Sequence, residues 1–193
     1  MLITKSSAKI LFLFGFFSLT GCQQIQTQPQ IPAVIINNQF NLQGKIGVKT
    51  PQQSGSAFFT WVQDQQQFEI ELSGILGIGK TIISGEIGQN TQLNSAKTGL
   101  IEAQNPEELL EYATGWQAPI TYLIDWVQAR PATNSAQIQR DAQQRPIHID
   151  EANWQIDLSY LDQEKMPNRL ILKQILESGQ ENRITMVIQN RSI

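Results

Sequence analysis

Apolar and polar residues alternate in steps of two along most of this chain. Phe40, Leu42, Ile46 and Val48 share one face of an extended segment, with Gly44 in the same phase. Phe59 and Trp61 repeat the pattern, as do Phe68, Ile70 and Leu72, and Ile82-Ile83 with Ile87 marks a further segment. It returns late in the chain at Trp154, Ile156, Leu158 and Tyr160, then at Leu170 and Leu172, then at Ile184, Met186 and Ile188. Each segment is short and bounded by Gly, Asn, Asp, Gln or Pro. Side chains that alternate between a dry and a wet face predict an antiparallel sheet or barrel.

The middle of the chain departs from that period. Asn105-Pro106-Glu107-Glu108 has the form of a helix start, with an Asn cap, a proline in the first turn and acids at the positive end of the dipole. Leu109, Leu110 and Tyr112-Ala113 follow, and Gly115 supplies a stop. A second helix is predicted from Pro119 through Leu123, Trp126 and Val127 to Arg130-Pro131. Two short helices set into a long antiparallel meander place the fold in the α+β class.

The N-terminus carries a different signal. Lys5 and Lys9 precede an apolar run, Ile10 to Phe17, that is too short to span a bilayer. Leu19-Thr20-Gly21-Cys22 then resembles a bacterial lipobox, whose cysteine receives a diacylglyceryl group. Cys22 is the single cysteine of the chain, so it has no disulfide partner. The expected organisation is a signal peptide over 1–21, a lipidated flexible tether over 22–39 and one domain over 40–193. The tether is Gln-rich and contains Pro29 and Pro32.

Charge narrows the possible partners. Removing Lys5 and Lys9 from the 14 basic residues leaves 12 against 17 acidic ones, a net charge of about −5. A nucleic-acid partner would need a basic patch, and a polybasic hold on anionic lipid would need the same. Anchoring is therefore expected from the lipid on Cys22, since each buried methylene contributes about 0.8 kcal/mol.

Gly74-Ile75-Leu76-Gly77-Ile78-Gly79-Lys80-Thr81 matches the phosphate-loop pattern letter for letter. In that motif backbone N–H groups cradle phosphates and a helix N-terminus faces them. The context contradicts it: Glu69 and Glu71 alternate through the preceding strand, where a central parallel strand would be apolar throughout. Thr81-Ile82-Ile83-Ser84-Gly85 is β-branched and broken by glycine, so it is a poor helix. Read as a hairpin loop, the segment holds Ile75, Leu76 and Ile78 where a loop tip is ordinarily polar. Apolar groups at such a tip mark a membrane or partner contact, or a loop folded back onto the core.

No catalytic constellation emerges, and neither an enzyme nor a cofactor is expected. His148 is the only histidine, with no cysteine near it to complete a metal site, and it reads as a structural or surface residue on a strand. The acids form no pair suited to glycoside hydrolysis, and no G-x-S-x-G is present. Trp61, Trp116, Trp126 and Trp154 are bulky for one domain; they either fill a core or line an apolar cavity.

Several ordered fragments resemble one family. Phe59-Thr60-Trp61 looks like its second strand, and Leu76-Gly77, following the Phe68–Leu72 strand, like its apolar loop tip. Glu108-Leu109-Leu110, Thr114-Gly115-Trp116 and Pro119 match its first helix and exit; Leu123-Ile124-Asp125-Trp126 and Ala129-Arg130-Pro131 match the second helix and the turn behind it. Trp154-Gln155-Ile156 and Pro167-Asn168-Arg169-Leu170 match late strands. From about Phe40 to about Ile188 the chain resembles the LolB family, outer-membrane receptors that accept lipoproteins from a periplasmic carrier. It departs from the family at Ile75, where proline is frequent, at Ala129, where glycine is common, and in lacking a closing aromatic near Ile193.

The resemblance implies a curved antiparallel sheet, an incomplete β-barrel with short helices capping a hydrophobic cavity. It implies a monomeric receptor on the periplasmic face of the outer membrane, anchored through Cys22. Gln23 follows that cysteine, where Asp would retain the protein in the inner membrane. The implied partners are a LolA-like carrier, acylated lipoprotein cargo and outer-membrane lipid, with no nucleotide hydrolysed. Candidate cavity residues are Phe59, Trp61, Phe68, Ile70, Trp126, Trp154 and Ile156; candidate membrane-inserting residues are Ile75, Leu76 and Ile78. A carrier of other hydrophobic ligands, or a structural protein-binding lipoprotein, are the competing expectations.

Overall fold

The computed structural model describes residues 37–74 and 79–192. Cys22, the signal peptide, most of the tether, and Ile75, Leu76 and Ile78 lie outside the described residues. The chain first forms a run of antiparallel strands: β1 (Gln39–Lys49), β2 (Ser54–Asp64), β3 (Gln67–Ser73), β4 (Thr81–Glu86), β5 (Thr91–Ser95) and β6 (Gly99–Ala103). Two helices follow, α1 (Pro106–Thr114) and α2 (Ile120–Trp126). A second antiparallel run completes it: β7 (Gln137–Arg140), β8 (Pro146–Glu151), β9 (Trp154–Ser159), β10 (Arg169–Ile175) and β11 (Glu181–Ser192).

All eleven strands belong to one sheet, ordered β6-β5-β4-β3-β2-β1-β11-β10-β9-β8-β7. Each wing is a succession of sequence neighbours, and the pairing of β1 with β11 stitches the wings together. The edges, β6 and β7, do not pair with each other. The barrel is therefore incomplete, and both helices enter the chain between its two edges.

The alternation of the sequence sets which face is dry. Phe40, Leu42, Ile46 and Val48 of β1 are buried, as are Ala57, Phe59 and Trp61 of β2 and Ile184, Met186 and Ile188 of β11. Their strand neighbours are exposed or half-buried. The helices complete the same core with Leu109, Leu110, Ile120, Leu123, Ile124 and Trp126, joined by Trp116 and Ala118 between them. α1 begins as the sequence predicts: the Asn105 side chain accepts from the Glu108 N–H at 2.9 Å and its amide donates back to the Glu108 carboxylate at 2.9 Å. It ends at Gly115, whose φ of 69° suits glycine and whose N–H donates to the Glu111 carbonyl.

Gly44 sits at the seam of the two wings, where the β1–β11 register shifts between Gln43 and Gly44. A β-carbon there would overlap the Val187 carbonyl oxygen and stand 3.0 Å from the Phe59 ring. The backbone of β11 occupies the space a side chain would need, which explains a glycine in phase with large apolar residues. Gly44→Ala is expected to lower stability by more than about 2 kcal/mol, read as an early midpoint in urea or thermal denaturation.

Candidate functional site

Between the inner face of the sheet and the helices lies a wholly apolar cavity. Ile46, Phe59, Trp61, Ile70 and Met186 line it from the sheet, and Leu110, Trp116, Ala118, Ile120 and Leu123 line it from the helical segment. Its volume is about 40 Å³. An apolar cavity of about 150 Å³ is needed to hold even a benzene-sized molecule. The hollow that the alternating aromatics lead one to expect is thus nearly filled by the helices that cover it.

Of the seven residues proposed for its wall, Phe59, Trp61 and Ile70 are brought together there. Phe68, Trp126, Trp154 and Ile156 are equally buried but do not line it. Trp126 and Trp154 pack against each other elsewhere in the core, with ring centroids 6.4 Å apart. Trp116 and Met186 also line the wall; Met186 stands in the alternation of β11 and Trp116 is one of the four tryptophans, but neither is among the seven candidates.

The two helices are attached differently. α2 is tied to the sheet by polar bonds: the Trp126 indole N–H donates to the buried carboxylate of Glu151 on β8. The same carboxylate accepts from the backbone N–H groups of Ala132 and Thr133, at 2.9 and 2.7 Å. Arg191 of β11 donates to the Val127 carbonyl at 2.8 Å, and Arg130 donates to the Asn38 side chain at 2.6 Å and pairs with Asp125 at 2.8 Å. α1 faces the core through Leu109 and Leu110, both buried. Its Glu107 accepts from the Thr121 N–H and hydroxyl at 2.8 and 2.9 Å, supplying the cap that Pro119 gives α2 no side chain to make.

Thr81–Glu86, which begins at the last of the phosphate-loop letters, is a strand, and Lys80 pairs with Glu71 of β3 at 2.7 Å. No helix N-terminus stands behind Lys80 to face a phosphate. No described helix is long and apolar enough to cross a membrane.

Comparison with known proteins bears on this architecture directly. Residues 38–190 match the family model described as outer membrane lipoprotein LolB. The chain belongs to the LolB family. The outer-membrane lipoprotein LolB of Stutzerimonas stutzeri is 36% identical over 155 residues, covering 78% of this chain and 72% of that protein. Its counterpart in Pseudomonas putida strain F1 is 35% identical over 155 residues, covering 78% and 73%. Among solved structures, a LolA superfamily protein from Nitrosomonas europaea superposes with a TM-score of 0.52 at 11% identity, covering 82% of this chain and 87% of that one. That likeness is one of fold. Ala129, a position where the resemblance leads one to expect glycine, adopts a φ of 56°, a left-handed conformation that costs a non-glycine residue about 1 kcal/mol.

His148 stands on the outer face of β8, away from the cavity. Its Nδ1 lies 2.7 Å from Asp157 and its Nε2 3.1 Å from Asp150, while Lys173 reaches Asp157 at 3.0 Å. Desolvation of the ring pulls its pKa down, but hydrogen bonds and charge from Asp157 and Asp150 outweigh it, and the net shift is upward. A histidine whose pKa rises on folding stabilises the protein fully below its unfolded value of about 6.5 and loses that contribution as pH rises through the folded value. Urea midpoints should therefore fall from about pH 6 to pH 8 in the parent protein, and His148→Asn should flatten that slope. Identical slopes in the two would mean the two aspartates do not bias the ring.

Proposed function

We propose that this chain is an outer-membrane lipoprotein receptor, held to the periplasmic face by the lipid on Cys22. It takes acylated lipoproteins from a soluble LolA-like carrier and passes them to the inner leaflet. The observation that supports this most is the apolar cavity under a helical cover, with no polar atom to read anything but a hydrocarbon. Cargo proteins differ in sequence, and the acyl chain is what they share. A 16-carbon chain exposed to water costs on the order of 10 kcal/mol, so the receiver must offer apolar surface before the donor releases.

A closed interior fits this reading once the cover can lift. α1 is the element proposed to move: Leu109 and Leu110 pack it on the core and Glu107 bonds it to Thr121 of α2, while α2 itself is tied to the sheet through Trp126 and Glu151. Lifting it exposes Leu109 and Leu110, at about 1.5–3 kcal/mol each, and an entering acyl chain restores that burial. Transfer from carrier to receptor to bilayer then runs downhill without nucleotide, since the bilayer buries the chains most fully. Ile75, Leu76 and Ile78 are the residues proposed to enter the leaflet during delivery. Lys80, beside them in the chain, has a stem able to reach toward head groups.

A structural lipoprotein with a filled core is the second reading, favoured by the small volume of the cavity. Brominated palmitate separates them, because bromine quenches nearby indoles. Quenching on titration, reduced by Trp61→Phe with Trp116→Phe and unchanged by Trp154→Phe, is expected of the receptor; absence of quenching supports the filled core. Leu76→Glu should still accept lipoprotein from the carrier while delivery to liposomes drops several-fold, and normal delivery would remove the loop from the mechanism.

A further inference from the structure

The segment joining the helices has two faces. Trp116 and Ala118 are buried in the wall of the apolar cavity, while Gly115 and Gln117, alternating with them, are exposed and line a separate polar groove of about 340 Å³. The groove continues onto the sheet through Thr50, just beyond β1, and Asn182 of β11. Along the dry face of β11, Met186 and Ile184 give way to Asn182, which is 5% exposed and donates to Gln174 at 3.3 Å. The apolar lining thus ends in a rim of amides and a hydroxyl. That rim lies at the end of the sheet where β3 and β4 are joined through residues 75–78.

We infer that this groove is a subsite for the uncharged neck of the acylated cysteine, the glyceryl esters and amide that join fatty chains to the cargo polypeptide. This rests on the receptor reading above. An acyl chain in the cavity must connect to a polar group within a few ångströms of its mouth, and the 115–118 segment borders both spaces. Carbonyl-rich esters and amides need neutral donors; the side-chain amides of Gln117 and Asn182 carry two N–H groups each, of which one bond each goes to Glu111 and Gln174. No lysine or arginine lines the groove, and its one carboxylate, Glu111, accepts from Gln117 at 2.7 Å. That charge pattern disfavours a phospholipid phosphate, whose glycerol esters would otherwise offer the same chemistry.

The test uses the chain with Cys22→Ala, so that no attached lipid competes, and compares Gln117→Leu and Asn182→Leu with it. Three ligands are titrated by tryptophan emission: a triacylated cysteinyl peptide, dioctanoylphosphatidylglycerol and 1-bromohexadecane, a chain without a neck. Each variant should weaken the peptide by about fivefold to twentyfold and leave bromohexadecane unchanged. Gln117 is at the surface, so its replacement tests the groove even if Asn182→Leu unfolds. Unaltered peptide affinity in Gln117→Leu overturns the subsite. Equal losses for peptide and phospholipid overturn its assignment to cargo. If bromohexadecane fails to bind the parent chain, the cavity reading itself falls and the subsite with it.

Discussion

An open sheet with one apolar face cannot stand in water uncovered, and the contact between helices and concave face answers that constraint here. Closing the sheet on itself would satisfy it more cheaply, but β6 and β7 remain apart and the intervening chain is laid over the inner face instead. Where it faces the cavity the cover is apolar, so that part of its hold is strong in sum yet without direction. Such a contact can be exchanged for another of equal oiliness, which a ladder of hydrogen bonds cannot. The polar bonds around α2 limit how much of the cover is free to exchange, and Glu151 alone fixes both the Trp126 ring and the first residues of the loop behind it.

Much of this was legible in the sequence. The alternation of Phe40 to Val48, of Phe68 to Leu72 and of Ile184 to Ile188 named the strands and their dry face, because period two survives wherever one face is buried. Asn105 and Gly115 bounded α1 through local hydrogen bonds that need no tertiary context. β5, β6 and β7 left no such trace. In β5 a single leucine, Leu93, is buried between polar neighbours, and β6 and β7 are edge strands whose side chains are mostly outside. Short edges with polar faces are what an unclosed sheet needs at its rims, and they read as loop.

The cavity wall was half legible for a related reason. Periodicity tells which residues point inward but not what meets them there. Phe68, Ile156 and Trp154 point inward as truly as Phe59 and Trp61, yet they are sealed by neighbouring core while the latter face the small void beneath Trp116. The bonds of Glu151 were invisible altogether, since one acid among seventeen carries no local mark of burial. The phosphate-loop letters show the converse: a complete motif whose flanking strand, Thr81–Glu86, removes the geometry that would give it meaning.

The pairing of β1 with β11 has a consequence for how the chain acquires its shape. Each wing is built of hairpins between sequence neighbours and can assemble locally as it emerges. The first described strand, however, finds its second partner only when β11 arrives, after every other described strand. Until then the two halves have no shared seam and the dry face has no common interior. The order of synthesis thus leaves the seam, and the common interior that depends on it, until the end of assembly.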